Sequence, residues 1–234
     1  MTVTNRSHSG FTSANIADAA LRLGTHYFLA PPGLKSVVPF DTSIVGAIRP
    51  VRHSGSVDIF FEALDRSKES EILVVDNQAR LNEGCIGDLI VAETKRKKLK
   101  AIIIWGAHRD THELISMKFP VFSYGSFPSG PLADRRREDN DLTHISFGNA
   151  QLDEGHGVIV DRDGAVFYDR ASQSELFKTA RQIAQVEGRQ RKAIEAGIGL
   201  DAQLGFEKYL QERKVNPQLS FRAFLRRSGG EIEQ

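Results

Sequence analysis

Residues 101–110 read Ala-Ile-Ile-Ile-Trp-Gly-Ala-His-Arg-Asp, and residues 71–76 read Glu-Ile-Leu-Val-Val-Asp. Both contain short apolar runs rich in β-branched side chains, the pattern of buried strands. The spacing between them predicts a helix from about Gly87 to Lys100. After them it predicts a helix over 111–117 and a strand opening at Pro120-Val121-Phe122. Strand, helix, strand, helix through 71–125 implies an α/β layer with parallel pairing.

Upstream, a helix is expected over 12–23 with Gly24 as its stop, then a turn at Pro31-Pro32-Gly33, a strand over 43–52 and a helix over 57–64. Downstream, 145–147, 157–160 and 165–168 read as short strands, the last two joined by a turn at 161–164, which implies an antiparallel section. Helical spacing returns over 174–196, 206–210 and 221–227, broken at Asn216-Pro217. The expected division is an α/β domain over 1–171 and a C-terminal helical extension over 172–234, packed on that domain or on a neighbouring subunit. Residues 1–10 are polar and read as a frayed end.

The 234 residues are enough to bury roughly 70–75% of the unfolded surface without staples. Lysine plus arginine (31) nearly balance aspartate plus glutamate (30), which argues against a general nucleic-acid or polybasic membrane binder. No apolar run approaches the roughly 20 residues that span a bilayer, and the N-terminus has no signal-peptide core. The single cysteine, Cys85, excludes an internal disulfide and favours a reducing compartment. The expectation is a cytoplasmic protein with no nucleic-acid and no membrane partner.

Two segments can carry chemistry. At the end of the 101–105 run, Gly106 permits a tight exit, Arg109 offers a fork for a carboxylate, and Asp110 offers a hard oxygen to Mg²⁺ or Mn²⁺. Asp110 and Glu113 also have capping-box spacing, so on spacing alone Asp110 reads first as a helix cap, a role one residue can combine with a functional one. Upstream, Gly84 and Gly87 precede a helix whose first N–H groups form an anion site, with Asp88 in its first turn. Neither a Rossmann nor a P-loop fingerprint accompanies them. His108 and His112 lack a third ligand for zinc, Lys95–Lys98 reads as a solvated helix face, and Cys85 as a buried thiol.

Together, Gly87-Asp88-Leu89-Ile90, Ala101–Asp110, Phe119–Phe122 and the stretch 157–166 resemble the signature of one family. It contains the regulator of ribonuclease E activity A and the divalent-metal-dependent 4-hydroxy-4-methyl-2-oxoglutarate aldolases, sequences also called dimethylmenaquinone methyltransferase-like. The resemblance implies an α/β/β sandwich of the swivelling phosphohistidine-domain type, assembled as a homotrimer or homohexamer with sites at subunit interfaces. It further implies Asp110 as metal ligand for Mg²⁺, Mn²⁺ or another hard divalent cation, and Arg109 as the group holding a pyruvyl carboxylate. Backbone N–H groups across Gly87, Asp88, Leu89 and Ile90 would bind substrate oxygens, and Asp88 would order a water. Glu187 is the expected acid from a neighbouring subunit. Trp105 departs from the family pattern, in which an acid commonly precedes the glycine, and residues 131–141 are unusually charged.

Ribonuclease regulators in the family tend to lack the aspartate of the Arg-Asp pair, so Asp110 points to the enzymatic branch. That branch implies pyruvate release from a small 4-hydroxy-2-oxo acid, or decarboxylation of oxaloacetate. The alternative is a non-catalytic regulator or scaffold that binds a ribonuclease-like protein partner, using the 131–141 segment.

Overall fold

The computed structural model describes residues 10–228; the expectation of a frayed end lies almost wholly outside them. The described residues divide into two compact units: 10–13 with 26–173, and 14–25 with 174–228. The short helix α1 (Ser13–Leu23) therefore groups, apart from Ser13, with the C-terminal helices.

The first unit contains β1 (Tyr27–Leu29), β2 (Lys35–Ser36), β3 (Ile44–Arg52), α2 (Asp58–Arg66), β4 (Ile72–Ile86), α3 (Asp88–Arg96), β5 (Ala101–His108), α4 (Thr111–Met117) and β6 (Val121–Ser123). The rest of it is strand: β7 (Gly125–Ser126), β8 (His144–Phe147), β9 (Ala150–Asp153), β10 (His156–Asp161) and β11 (Gly164–Asp169). One mixed sheet runs in the order β1-β11-β10-β3-β4-β5-β6-β2, with β7 beside the end of β5. The neighbours β3-β4-β5-β6 are parallel; β1, β10, β11 and β2 join antiparallel. β8 and β9 form a separate hairpin.

The central strands are apolar over 72–75 and 101–104 because both faces are covered there. Leu73, Val75, Ile102 and Ile104 pack with Ile59, Phe60, Leu64 and Val91 of the helices. Their neighbours Ile72, Val74, Ala101 and Ile103 face the opposite way, onto Ile145, Phe147 and Leu152 of the hairpin and Val158, Val160 and Phe167 of β10 and β11. Each such side chain removed from water contributes roughly 1.5–3 kcal/mol before its entropy cost. The apolar runs thus mark the centre of the sheet, as the sequence implied.

Polar anchors fix the edges. Asp161 accepts from Ser13 N and Oγ, both at 2.7 Å, and from Ser43 Oγ at 3.2 Å. Buried Asp76 accepts from Gln78 N (2.8 Å), Ser146 N (3.0 Å) and Arg52 Nε (3.2 Å).

His53 is buried, stacked on Phe60 with centroids 5.1 Å apart, and its Nδ1 lies 3.0 Å from Asn77 Oδ1. Burial holds its pKa below the ordinary imidazole value. The unfolded chain therefore takes up this proton more readily. The stabilisation from neutral His53 is complete above the unfolded pKa near 6.5 and is lost as pH falls below it, by roughly 1 kcal/mol per pH unit until the folded pKa is reached. Urea denaturation at pH 7.5 and 5.5 is expected to show this loss in the wild type and a smaller one in His53→Gln.

The second unit is helical. After a turn at Arg170–Ser172 run α5 (Gln173–Glu195), α6 (Leu200–Gln203), α7 (Phe206–Val215) and α8 (Phe221–Ser228). α7 and α8 have their own aromatic core: Phe206 and Tyr209 each meet Phe221, at 5.2 and 4.9 Å between centroids, and Tyr209 also meets Phe224. Asn15 Nδ2 donates to Glu187 Oε2 at 2.9 Å, tying α1 to α5.

Candidate active site

The site forms where β4 and β5 end. β4 does not stop at Asp76, as its composition suggested, but continues to Ile86 through an irregular stretch in which Gln78 and Ala79 take positive φ. Its register against β5 shifts three times, so that Arg80 pairs with Gly106, Gly84 with Ala107 and Ile86 with His108. Such bulges re-aim a strand. Here they carry Gly87, the first residue beyond β4, to the residues that follow β5, and Arg109 N donates to Ile86 O at 2.8 Å. Gly106 accordingly lies inside β5 rather than at its exit. Its φ of +153° and its close approach to Asn77, 2.8 Å from a Cβ built there, explain the glycine.

Arg109, Asp110 and Gly87 converge. A Cβ added to Gly87 would lie 2.2 Å from Asp110 Oδ2 and 3.0 Å from Arg109 Nε. Asp110 Oδ2 accepts a long hydrogen bond from Asp88 N (3.3 Å) and faces Arg109 Nε at 3.4 Å. Asp88 Oδ1 accepts from Leu89 N at 2.7 Å. The positive end of α3 thus already gathers two carboxylates, as the aligned peptide dipoles of a helix start favour. Leu89 is exposed, whereas the Ile90 side chain is buried in the core, leaving only its backbone for a ligand.

The helix-cap reading of Asp110 is corrected. The residue does sit at the N-cap of α4, but its side chain makes no capping hydrogen bond, and its backbone is left-handed (φ 58°, ψ 40°). That conformation costs a non-glycine residue on the order of 1–2 kcal/mol. It turns the carboxylate away from its own helix and toward α3, and a strained backbone that aims a side chain is a mark of functional sites.

The neighbouring groups fall into structural roles. His108 is buried, with Nδ1 2.7 Å from Ser123 Oγ and Nε2 3.0 Å from Thr111 Oγ1, so both ring nitrogens are occupied. The Cys85 thiol is buried, and burial pushes its pKa far up. Lys95, Arg96, Lys97 and Lys98 lie on or just beyond the end of α3 and pair locally, for instance Arg96 with Glu93 and Lys98 with Glu69. Glu187 lies in the second unit, in contact with Asn15. Gly130, which the sequence reading passed over, abuts the Arg109 guanidinium: a Cβ there would lie 2.9 Å from Nη1. The Ser129-Gly130-Pro131 turn was its visible signal.

The residues fit a hard divalent cation. Among the described residues no group of three or more His, Cys, Asp or Glu could hold a metal; the carboxylates at the start of α3 and just beyond the end of β5 are those of Asp88 and Asp110. Mg²⁺ is held in this way, by one or two carboxylates with several waters retained. Asp110 Oδ2 has only long polar contacts, to Asp88 N and Arg109 Nε, and it packs directly against Gly87, where no side chain would fit.

Comparison with known proteins bears on this arrangement. Residues 13–167 match the family described as "RraA-like: Aldolase/RraA". The chain belongs to this family. A Bacillus anthracis protein named "Putative 4-hydroxy-4-methyl-2-oxoglutarate aldolase" is 29% identical over 126 residues, 54% of this chain and 78% of that protein. Among solved structures, an uncharacterized protein from Pseudomonas syringae superposes with a TM-score of 0.70 at 23% identity, over 82% of this chain and 91% of its own. Streptomyces coelicolor RraAS2, described as an unusual member of the RNase ES inhibitor RraA protein family, superposes with a TM-score of 0.67 at 21% identity, over 79% and 93%. These two likenesses concern the fold.

Proposed function

We propose that the protein is a divalent-metal-dependent carbon–carbon lyase that releases pyruvate from a small 4-hydroxy-2-oxo acid, and that decarboxylates oxaloacetate at the same site. The observation that carries this reading is the convergence of Arg109, Asp110 and the glycine start of α3 within one contact shell. The aldolase name of the relative supports it.

In this reading Arg109 forks the substrate carboxylate, a planar bidentate match. Asp110 would hold Mg²⁺ or a similar ion, with Asp88 ordering water beside it, and the ion would supply a Lewis acid for the keto oxygen. Through a water that it orders, the Asp88 carboxylate takes the proton of the C4 hydroxyl, the C3–C4 bond breaks, and its electron pair moves to C3 and the C2 oxygen. The positive end of α3 faces the charge growing on that oxygen; a preorganised dipole of this kind often supplies a large contribution to a barrier reduction. Protonation at C3 then gives pyruvate. With oxaloacetate, carbon dioxide leaves C3 in place of the carbonyl fragment.

The same proposal includes the finer fold type, the swivelling phosphohistidine-like sandwich. It also includes a homotrimer or homohexamer in which an acid such as Glu187 from a neighbouring subunit completes the site, and a cytoplasmic location. Among the described residues no helix is long and apolar enough to cross a membrane.

The test is a lactate-dehydrogenase-coupled assay with 4-hydroxy-4-methyl-2-oxoglutarate and with oxaloacetate. Pyruvate release is expected with Mg²⁺ or Mn²⁺ and is abolished by EDTA. Full turnover in EDTA contradicts the metal role. No turnover of either substrate, together with capture of a ribonuclease-like protein that Asp110→Ala does not disturb, supports the regulator instead.

A further inference from the structure

The charged segment after β7 is laced to the two strands that carry the site. Phe127 N donates to His108 O at 2.8 Å, and Gly84 N donates to Ser129 O at 2.8 Å. Gly130 then lies close to Nη1 of the Arg109 guanidinium and Gly87 close to its Nε, so two residues without side chains pack against the group. Its ion pair with Asp110 is long, 3.4 Å. The placement of those glycines therefore decides where the guanidinium points.

Beyond Gly130 the segment is fastened at several points. Arg135 N donates to Ser54 O at 2.6 Å, and Ala133 O packs on Gly55, where a Cβ would lie 2.3 Å away. Arg137 forks onto Glu62 of α2 at 2.7 and 3.0 Å. The Arg135 guanidinium meets Glu83, a carboxylate only 6% exposed that Arg80 Nε also reaches at 2.7 Å. Burial alone raises the Glu83 pKa, but hydrogen bonds from Arg135 and Arg80 outweigh it and hold the carboxyl below its ordinary value. These fastenings differ in weight. Exposed pairs such as Arg137–Glu62 contribute little, whereas removing one cation from a buried carboxylate leaves a poorly compensated charge. Glu83 also directly precedes Gly84, whose N–H holds the segment at Ser129.

We infer that residues 127–137 form a strap that sets the aim of the Arg109 guanidinium, with Glu83 and Arg135 as its positioning pair. Three of the charges that set 131–141 apart in composition are thereby used within the chain: Arg135 on Glu83, Arg137 on Glu62, and Glu138 on Arg52. The inference rests on the proposed reading only in giving Arg109 a carboxylate to hold. The strap itself does not depend on it.

The test has two arms. In the first, ¹⁵N relaxation of the Arg109 Nε–H is compared among variants without any substrate. An order parameter above ~0.8 is expected in the wild type and in Arg137→Met, falling below ~0.6 in Arg135→Met and recovering in Arg135→Lys. In the second, steady-state kinetics with Mg²⁺ is expected to show KM for the 2-oxo acid raised about tenfold in Arg135→Met and Gly130→Ala, the scale of a small misplacement of a binding group. In that arm kcat changes less than threefold, and Mn²⁺ affinity by electron paramagnetic resonance is unchanged. An Arg109 order parameter unaltered in folded Arg135→Met overturns the strap. Loosening of Arg109 in a protein that turns over neither substrate keeps the strap and removes the proposed reaction.

Discussion

Asp110→Asn is expected to lower kcat for pyruvate release by at least about 10³-fold while the melting temperature stays within a few degrees of the wild type. An essential electrostatic group of this kind is worth that much when its charge is lost. The fold should tolerate the change because the Asp110 side chain does not cap α4 and makes only two long contacts, at 3.3 and 3.4 Å. Asparagine is also one of the few residues that accept the left-handed backbone found there. Asp110→Ala should be as inactive and somewhat less stable, since alanine tolerates φ 58° poorly. The coupled assay and calorimetry on both variants decide it. Asp110→Asn within tenfold of wild-type activity contradicts the role given to this carboxylate.

Gly87→Ala is the second large effect. Its backbone (φ −126°, ψ −171°) is ordinary extended chain, so alanine brings no conformational strain. The added methyl, however, would stand 2.2 Å from Asp110 Oδ2 and 3.0 Å from Arg109 Nε, and both side chains must move. A displacement of about 1 Å in such groups can cost ~10²-fold, so kcat/KM is expected to fall by about that factor with stability nearly unchanged. The matched control is Gly188→Ala in α5, where a Cβ meets nothing within 4 Å. There the expected result is unaltered kinetics and a gain of up to about 1 kcal/mol in stability. Equal activity in Gly87→Ala and the control would show that the close packing at Gly87 has no catalytic consequence.

The central layer was legible in the sequence because its strands are buried on both faces. The runs at 71–76 and 101–105 needed no partner information to be read, and the helices between and after them followed from spacing. Their extensions were hidden: 77–86 is polar, with an irregular register and positive φ at Gln78 and Ala79, so it carries no period-2 signal. That irregular stretch is what delivers Gly87 to Arg109. The pairing of Gly-Asp with Arg-Asp could thus be expected from the family resemblance but not from local pattern. The short strands Tyr27–Leu29, Lys35–Ser36 and Ala150–Asp153 were missed for a related reason, since each is held mainly by its partner strand. Asp110 shows the limit of motif reading. The Asp110–Glu113 spacing is that of a capping box, yet one left-handed residue turns the side chain to a different helix.

The most direct measurement is a crystal structure of the full chain grown with Mn²⁺ and pyruvate, with the cation located by its anomalous signal. The expected result is a cation about 2.1–2.2 Å from an Asp110 carboxylate oxygen, with the pyruvate carboxylate forked by Arg109 and its keto oxygen turned to the start of α3. A cation bound elsewhere, or pyruvate seated away from Arg109, would contradict the assignment of this site.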